Sequence, residues 1–408
     1  MPPAVADLHP GRALLLENIH PDAVAVLGAA GYQVERVDRA LPEPELVQRL
    51  DGVQLLGLRS NTQLTRKALE SAPDLIAVGA FCIGTNQIDL PAAAEHGVAV
   101  FNAPFSNTRS VVELAIAEII ALTRRLTDKN TDMHAGTWDK SAAGSHEVRA
   151  RRLGIVGYGN IGSQLSVLAE GLGLSVLFFD TSDKLALGNA RRCGTLEELL
   201  AESDIVTLHV DGRADNDSFF GEEQFARMRP GAVFLNLSRG FVVDHLALRR
   251  HIESGHLVGA AVDVFPVEPR SRGEEFVSEL RGLRNVILTP HVGGSTEEAQ
   301  QDIGNFVAGK LHDFASAGTT SLSVNLPQVS LPRLPGAWRV LLVHRNTPGV
   351  LARVNGIVAE HGLNIEGQVL STRGSLGYVV SDFSSGLSAA VVRDLGQLDE
   401  VVRLRVLS

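Results

Sequence analysis

Cysteine and positive charge are both scarce in this chain. Its 408 residues include two cysteines, Cys82 and Cys193, which lie far apart in no metal-binding or redox spacing, so a disulfide framework is not expected. The formal net charge is −10, whereas nucleic acid and anionic membranes bind basic surfaces. No apolar run approaches the roughly 18 residues of a membrane span, and the N-terminus lacks the pattern of a secretory signal. The sequence therefore predicts a cytoplasmic enzyme or regulator, without nucleic acid, membrane or metal as a partner.

Apolar runs alternate with helix-like segments over most of the chain, a pattern typical of parallel α/β sheets. Strand-like runs occupy residues 13–17, 53–58, 75–78, 98–101, 205–209, 233–237, 259–264 and 286–288. Helices are predicted at 20–30, 108–126 and 297–317, followed by a short strand at 323–326. Ligands of such sheets bind at the carboxyl ends of the strands, so the polar residues after each run are the functional candidates.

One stretch, residues 152–180, has the pattern of a dinucleotide-binding unit: an apolar run, a glycine loop, an amphipathic segment and a second apolar run that ends in an acid. Gly157 permits a tight turn, Gly159 lets the backbone approach a pyrophosphate, and Gly162 lets the helix pack on the strand. Asp180 can accept hydrogen bonds from the adenosine ribose and would repel a 2′-phosphate, which favours NAD over NADP. The alternative is a glycine turn that binds no ligand.

The order of these segments predicts two doubly wound parallel-sheet domains of the α/β class and a smaller third domain. Residues 1–105 and 297–327 form a discontinuous substrate-binding domain in this prediction, and residues 106–296 form a Rossmann nucleotide-binding domain. A proline-rich linker, 328–337, precedes residues 338–408, which have the βαββαβ order of a ferredoxin-like module. This module is too small to be a second catalytic domain.

Arg239, Glu268 and His291 follow three successive predicted strands beyond the glycine loop. Removing a hydride from an alcohol requires a base for the hydroxyl proton, and the pKa of a histidine such as His291 suits that work near neutral pH. Glu268 can fix the tautomer of the ring, and Arg239 can bind a substrate carboxylate with two hydrogen bonds. Each residue alone could be structural, since the chain has 13 histidines. All three at neighbouring strand ends favour a catalytic site.

These motifs resemble the D-isomer-specific 2-hydroxyacid dehydrogenases, and within them the bacterial D-3-phosphoglycerate dehydrogenases with a C-terminal ACT domain. The resemblance runs over nearly the whole chain, and its further motifs are Gly57-Leu58-Arg59-Ser60, Phe81-Cys82-Ile83-Gly84-Thr85-Asn86-Gln87 and Asn102-Ala103-Pro104-Phe105-Ser106-Asn107-Thr108-Arg109-Ser110-Val111. It implies NAD-dependent oxidation of 3-phosphoglycerate to 3-phosphohydroxypyruvate, the first step of serine synthesis. It also implies regulation by serine, a homotetramer formed through nucleotide-domain and ACT-domain contacts, and reduction of 2-oxoglutarate as a possible side activity.

The resemblance assigns roles to individual residues. His291 is the acid/base, Glu268 its partner, and Arg239 the residue on the substrate carboxylate. The substrate-binding residues it implies are Arg59, Ser60, Asn107, Lys140 and Arg239. The cofactor-binding residues are Gly157, Tyr158, Gly159, Asn160, Ile161, Gly162, Asp180, His209, Ser238, Arg239, Asp263, His291 and Gly293. The effector-binding residues are His344, Asn346 and Asn364. The chain departs from close relatives at Asn61, where a second arginine is usual, and at Asp211, where a proline is usual.

Two other functions fit the same pattern. One is a dehydrogenase of another D-2-hydroxy acid, which a kinetic comparison across substrates would separate. The other is a dinucleotide-sensing scaffold of the corepressor type, which would not reduce NAD. The complete set of Arg239, Glu268 and His291, together with an amino-acid-sensing module at the C-terminus, argues against the scaffold.

Overall fold

Strands and helices alternate along the chain as the apolar pattern predicts. The structure, a computed structural model, describes residues 5–7, 10–269 and 273–408. The strands are β1 (Val5–Asp7), β2 (Arg12–Leu16), β3 (Gln33–Val37), β4 (Val53–Leu58), β5 (Ala77–Ala80), β6 (Ala99–Asn102), β7 (Arg152–Val156), β8 (Ser175–Phe179), β9 (Arg191–Arg192), β10 (Ile205–Leu208), β11 (Ala232–Asn236), β12 (Leu257–Val262), β13 (Val286–Leu288), β14 (Trp338–Arg345), β15 (Ile365–Arg373), β16 (Leu376–Phe383) and β17 (Val401–Leu407).

The helices fill the connections between these strands. They are α1 (Pro21–Ala29), α2 (Glu43–Arg49), α3 (Arg66–Glu70), α4 (Leu90–Glu95), α5 (Thr108–Thr123), α6 (Leu126–His134), α7 (Asn160–Gly171), α8 (Leu196–Glu202), α9 (Glu222–Arg227), α10 (His245–Glu253), α11 (Glu297–Ala317), α12 (Val350–Glu360) and α13 (Ala389–Gly396). The chain forms two compact units, one of residues 1–106 with 300–408 and the other of residues 107–299. The finer division into substrate-binding, nucleotide-binding and C-terminal domains stays a prediction.

The first unit contains a parallel sheet with the strand order β3-β2-β4-β5-β6. Its central strands are apolar on both faces because helices cover both sides, as the nearly continuous burial of β4 illustrates. The loops after β4, β5 and β6 carry the polar motifs found in the sequence. They therefore lie at one edge of the sheet, where ligands of such folds bind.

The second unit contains a parallel sheet with the order β13-β12-β11-β10-β7-β8-β9. The order reverses between β7 and β10, which makes the crevice beyond these two strands the expected place for a dinucleotide. Side chains of Thr195 and Asp244 accept backbone N–H groups at the starts of α8 and α10. The predicted α/β class and the doubly wound sheets are confirmed.

The C-terminal module has the predicted βαββαβ order. Strands β17, β14, β16 and β15 are antiparallel to their neighbours in that order, with α12 and α13 as the two helices. A fifth strand was not predicted: β1, at the other end of the chain, pairs in parallel with β17. The first described strand of the chain thus belongs to the sheet of the last module.

Two local predictions were wrong. Residues 323–326 form no continuous strand, although Ser323 makes one isolated antiparallel bridge with Phe101 and the N–H of Val324 donates to Val100 O. Side chains supply the other bonds to β6: Asn325 bonds the backbone of Val98 and Val100, and Ser323 Oγ donates to Val100 O. The long helix expected at 108–126 ends at Thr123, and Arg125 has a left-handed backbone (φ 52°) before α6 begins.

Arg339, in β14, is one of the two largest fully buried side chains described in the C-terminal module, with Arg405, and it forms a two-pronged ion pair. Its Nε and Nη2 donate to the two oxygens of Asp382 at 2.6 and 2.7 Å, and both side chains have zero exposure. The remaining donors bond the carbonyl oxygens of Ala317, Leu331 and Pro332. A buried guanidinium with all these partners is stable only while each partner stays in place.

Replacing Asp382 by alanine should therefore leave a buried positive charge unpaired and cost about 3–5 kcal/mol. Urea unfolding followed by Trp338 fluorescence, in a background with Trp138→Phe, measures this loss. The control is Asp394→Ala, since Asp394 forms exposed ion pairs with His361 and Arg393. Equal midpoints for D382A and D394A would contradict the analysis.

Candidate active site

The glycine loop joins β7 to α7 at the point where the sheet order reverses. Gly157 has φ 92°, and a Cβ there would lie 2.6 Å from the carbonyl oxygen of His209, so only glycine fits this turn. A Cβ at Gly162 would lie 2.3 Å from Gly157 O, which explains why the helix can pack so closely. Around Gly159 a Cβ would meet nothing within 4 Å, so the backbone at the start of α7 faces open space.

Asp180 lies at the end of β8, beside this loop. One carboxylate oxygen accepts the backbone N–H of Tyr158 at 2.8 Å, and the other accepts that of Ser182 at 2.8 Å. Each oxygen has further lone pairs, so the acid can still receive ribose hydroxyl groups. An open helix N-terminus next to an oriented acid fits an NAD molecule, with the pyrophosphate at α7 and the adenosine at Asp180.

His209 and Ser238, two further candidates, follow β10 and β11. His209 bonds Thr207 Oγ1 through Nε2 at 3.0 Å, while its buried Nδ1 has no partner. Burial lowers the pKa of His209 to about 4, so its ring is neutral near pH 7. Ser238 Oγ donates to Asn236 Oδ1 at 2.7 Å, which fixes the turn after β11.

Glu268 and His291 are in direct contact. His291 Nδ1 lies 2.9 Å from Glu268 Oε2, and the other oxygen of Glu268 accepts the N–H of Phe265 at 3.0 Å. The hydrogen bond to Glu268 raises the pKa of His291, against the opposing effect of burial. For Glu268 burial acts to raise the pKa, but the bonds from His291 and Phe265 outweigh it and the pKa is lowered. The pair can hold a proton on His291 and leave Nε2 for a ligand.

The loop of His291 is anchored to Asp263, at the end of β12. The Asp263 carboxylate accepts hydrogen bonds from Thr289 Oγ1 and from the N–H groups of Val292 and Gly293, at 2.6 to 2.9 Å. The N–H of His291 donates to the carbonyl oxygen of Asp263 at 2.8 Å, and His291 itself has a left-handed backbone with φ 54°. The direction of the histidine ring therefore depends on Asp263.

Arg239 stands close to this pair. A Cβ at the following residue, Gly240, would lie 1.9 Å from the carbonyl carbon of Phe265, so the two strand ends touch directly. The charge of Arg239 acts on the pKa values of both Glu268 and His291. Its Nη1 donates to Ser238 O at 2.6 Å, which leaves other guanidinium donors for an anion.

The Arg59 and Ser60 loop belongs to the first unit, after β4. Buried Glu17 accepts the backbone N–H groups of Arg59, Asn61 and Thr62 at 2.8 to 3.3 Å, and Gln87 Nε2 donates to Arg59 O at 2.6 Å. The sequence analysis missed Glu17 because nothing near it in sequence reveals a contact with residues more than 40 positions away. Its position directly after an apolar run was the only available clue.

Asn107 and Lys140 belong to the second unit. Asn107 precedes α5, and a Cβ at Gly294 would lie 2.1 Å from its amide nitrogen, while its buried Oδ1 has no partner. Lys140 lies on an exposed segment, where its Nζ is 5.7 Å from the ring centroid of Trp138. Trp138 itself is 72% exposed, which is unusual for this residue type.

The candidate effector residues do not lie together in the C-terminal sheet: His344 and Asn346 are at the end where Arg345 pairs with Leu376, whereas Asn364 precedes β15 at the opposite end, where Ile365 pairs with Phe383. His344 Nδ1 is 2.8 Å from Arg345 O, and its buried Nε2 has no partner. Asn346 Nδ2 donates weakly to Gly374 O at 3.2 Å, and Asn364 Nδ2 to Glu366 Oε1 at 3.3 Å. All three therefore keep polar capacity for a small ligand.

The described residues contain neither a metal-ligand cluster nor a membrane-spanning helix. Within the described ranges, no group of three or more His, Cys, Asp or Glu side chains could hold a metal ion. Among the helices of those ranges, none combines the length and apolar character needed to cross a bilayer.

Comparison with known proteins gives matches over almost all of the chain. It is 49% identical over 397 residues to the D-3-phosphoglycerate dehydrogenase of Haemophilus influenzae, with 97% of each chain covered. It is 47% identical over 399 residues to the enzyme of that name from Escherichia coli K12, again with 97% of each covered. The chain belongs to the D-3-phosphoglycerate dehydrogenase family.

Two family models and several solved structures of related dehydrogenases also match this chain. The NAD-binding domain of the D-isomer specific 2-hydroxyacid dehydrogenases matches residues 116–293, and an AHAS small subunit-like ACT domain matches residues 340–403. The structure of D-2-hydroxyisocaproate dehydrogenase covers 77% of the chain and 99% of its own length, at 25% identity and a TM-score of 0.70. The D-lactate dehydrogenase of Aquifex aeolicus, complexed with NAD and lactic acid, covers 74% and 95% at 25% identity and a TM-score of 0.64. The chain is an NAD-dependent dehydrogenase with a C-terminal ACT domain.

Replacing Glu268 by glutamine should lower the pKa of His291, because the ring loses the hydrogen bond that raises it. A base must be unprotonated to act, so the acidic limb of kcat/KM for alcohol oxidation should move to lower pH in E268Q. The value of kcat should fall on the order of 10²-fold, since the protonated ring loses its anionic partner.

The matched control is Glu275→Gln, since Glu275 is exposed and 3.8 Å from Arg281. An E268Q profile with the acidic limb of the wild type would show that Glu268 does not act on the base.

Proposed function

We propose that this chain oxidises 3-phospho-D-glycerate to 3-phosphohydroxypyruvate with NAD, the first step of L-serine biosynthesis. The observation that carries the proposal is the His291–Glu268 pair, 2.9 Å apart, with Arg239 close enough for its charge to act on both. The choice of 3-phosphoglycerate as substrate is supported by the names of the relatives, which are nearly half identical to this chain over 97% of its length. The same chemistry in reverse would reduce 2-oxoglutarate as a side activity.

In the proposed mechanism His291 Nε2 accepts the proton of the substrate 2-hydroxyl group while Nδ1 stays bonded to Glu268. NAD, when bound, accepts the hydride from the same carbon, so the products are a 2-oxo acid, NADH and a proton. Arg239 binds the substrate carboxylate with two hydrogen bonds and stabilises charge on the developing carbonyl oxygen. Asp263 holds the loop of His291, and the family resemblance implies that it would also contact the nicotinamide amide.

The substrate phosphate requires cations in a chain of net charge −10. Arg59 is the best candidate, because Glu17 and Gln87 fix its backbone and leave its guanidinium free of a described hydrogen bond to protein. Ser60, Asn107 and Lys140 are the further candidates. Asn61 supplies no charge where relatives have a second arginine, so another D-2-hydroxy acid is the second candidate substrate.

A substrate series tests this proposal. With NAD at alkaline pH, 3-phosphoglycerate should give NADH absorbance, and with a far higher kcat/KM than phosphate-free D-2-hydroxy acids. Arg59→Ala should raise KM for 3-phosphoglycerate about 10- to 100-fold, the worth of one charge-assisted contact. It should change KM for the phosphate-free acids little.

The control for Arg59 is Arg66→Ala in the same unit, since Arg66 pairs with Glu95 on the surface. Equal effects of R59A on both substrate classes would defeat the phosphate assignment. No NADH with any D-2-hydroxy acid would favour the scaffold.

Serine is the proposed effector of the ACT domain, and a homotetramer in the cytoplasm is the proposed form of the enzyme. Asn346→Ala or Asn364→Ala should weaken serine binding about 10-fold, as expected for one lost hydrogen bond to a charged ligand. Calorimetry and inhibition kinetics measure the change, with Gln397→Ala on the exposed end of α13 as the control. Absence of heat with millimolar serine and wild-type protein would refute the effector assignment.

A further inference from the structure

Helix α5 carries a buried acid for which the mechanism above has no use. Glu118 is 2% exposed, and among the residues that the structure describes neither oxygen of its carboxyl group has a hydrogen-bond partner. It shares the sheet-facing side of the helix with Ala115 and Leu122, both buried. An ionised carboxylate in this position would lose its hydration without any hydrogen bond in return.

The charged group that acts on Glu118 is Asp263. Strands β11, β12 and β13, which α5 packs against, contain only uncharged residues, and the buried residues of α7 are uncharged as well. On α6, the carboxylate of Asp128 is paired with Arg125 and Arg284. Asp263 accepts three hydrogen bonds from the residues after β13, whereas Glu118 accepts none. Burial disfavours the charged form of Glu118 and the charge of Asp263 adds to this effect, so the proton belongs on Glu118.

We propose that Glu118 is a positioning residue for the reaction. Its neutral carboxyl group lets Asp263 keep its charge and hold the loop of His291, and loss of the proton from Glu118 weakens that hold. The inference rests on the proposed function for its kinetic consequence alone. Glu118 itself need not touch substrate or cofactor.

The effect on stability has a definite sign. Burial, with a further contribution from the charge of Asp263, raises the pKa of Glu118 from 4.5 to about 8. A carboxyl group of this kind stabilises the folded state fully below its ordinary pKa, and the stabilisation is lost as pH rises to the folded pKa. Glu118 should therefore lower the stability of the protein progressively between about pH 4.5 and about pH 8.

Thermal unfolding of the full chain tests this directly. The melting temperature of the wild type and of Glu118→Gln is measured from about pH 5 to about pH 9, since glutamine has the same shape and cannot ionise. The difference, E118Q minus wild type, should grow with pH by several degrees and level off at the alkaline end. The control is Glu113→Gln on the exposed side of the same helix, where Glu113 pairs with Arg109.

The melting temperature of E113Q should differ from that of the wild type by the same amount at every pH. If E118Q folds poorly, Glu118→Leu provides a second neutral variant of similar volume. A difference between E118Q and the wild type that is independent of pH would overturn the proposal.

The pH profile of kcat/KM tests the link to the His291 loop. Wild type and E113Q should lose activity above about pH 8, whereas E118Q should hold its kcat/KM over that range. Superimposable profiles of E118Q and wild type would refute the link. The melting temperatures could follow the expected pH dependence while neither the wild type nor any variant oxidises 3-phosphoglycerate. In that case the proposed function fails, and the proton remains assigned to Glu118.

Discussion

The backbone of the loop that carries His291 is bonded at several points to one residue, Asp263. The Asp263 carboxylate accepts hydrogen bonds from the hydroxyl group of Thr289 and from the N–H groups of Val292 and Gly293. The carbonyl oxygen of Asp263 accepts a fourth hydrogen bond, from the N–H of His291. These bonds act against a cost, because a histidine with φ 54° occupies a region that residues with a Cβ populate sparsely. The contact between His291 and Glu268 depends on this anchor, because it fixes the backbone that carries the ring.

Much of the site could be predicted because parallel strands end on the same edge of their sheet. The segments that end in Arg239, Asp263 and His291 are β11, β12 and the turn after β13, which are neighbours in the sheet. A polar residue directly after an apolar run was therefore enough to select them. Asp180 was predictable in the same way, since the spacing from the glycine loop places it beside Tyr158.

Other features depend on contacts that no local pattern records. Glu17 organises the Arg59 loop from more than 40 residues away, and β1 pairs with β17 at the opposite end of the chain. Residues 323–326 have a strand-like composition, yet only a single backbone bridge forms with β6, and the side chain of Asn325 supplies two further bonds. Glu118 looked like an ordinary polar residue in a helix, and only its burial against the sheet distinguishes it.

Arg339 also restricts how the C-terminal sheet can turn. Its bonds to Leu331 and Pro332 tie the first strand of that sheet back to the residues that lead into it, and close a small ring of chain around Gly336. Rotation of the chain at Gly336 would break these bonds and leave the buried guanidinium of Arg339 without part of its hydrogen bonding, which disfavours such a rotation. The orientation of this connection is therefore kept by buried hydrogen bonds rather than by a stiff backbone.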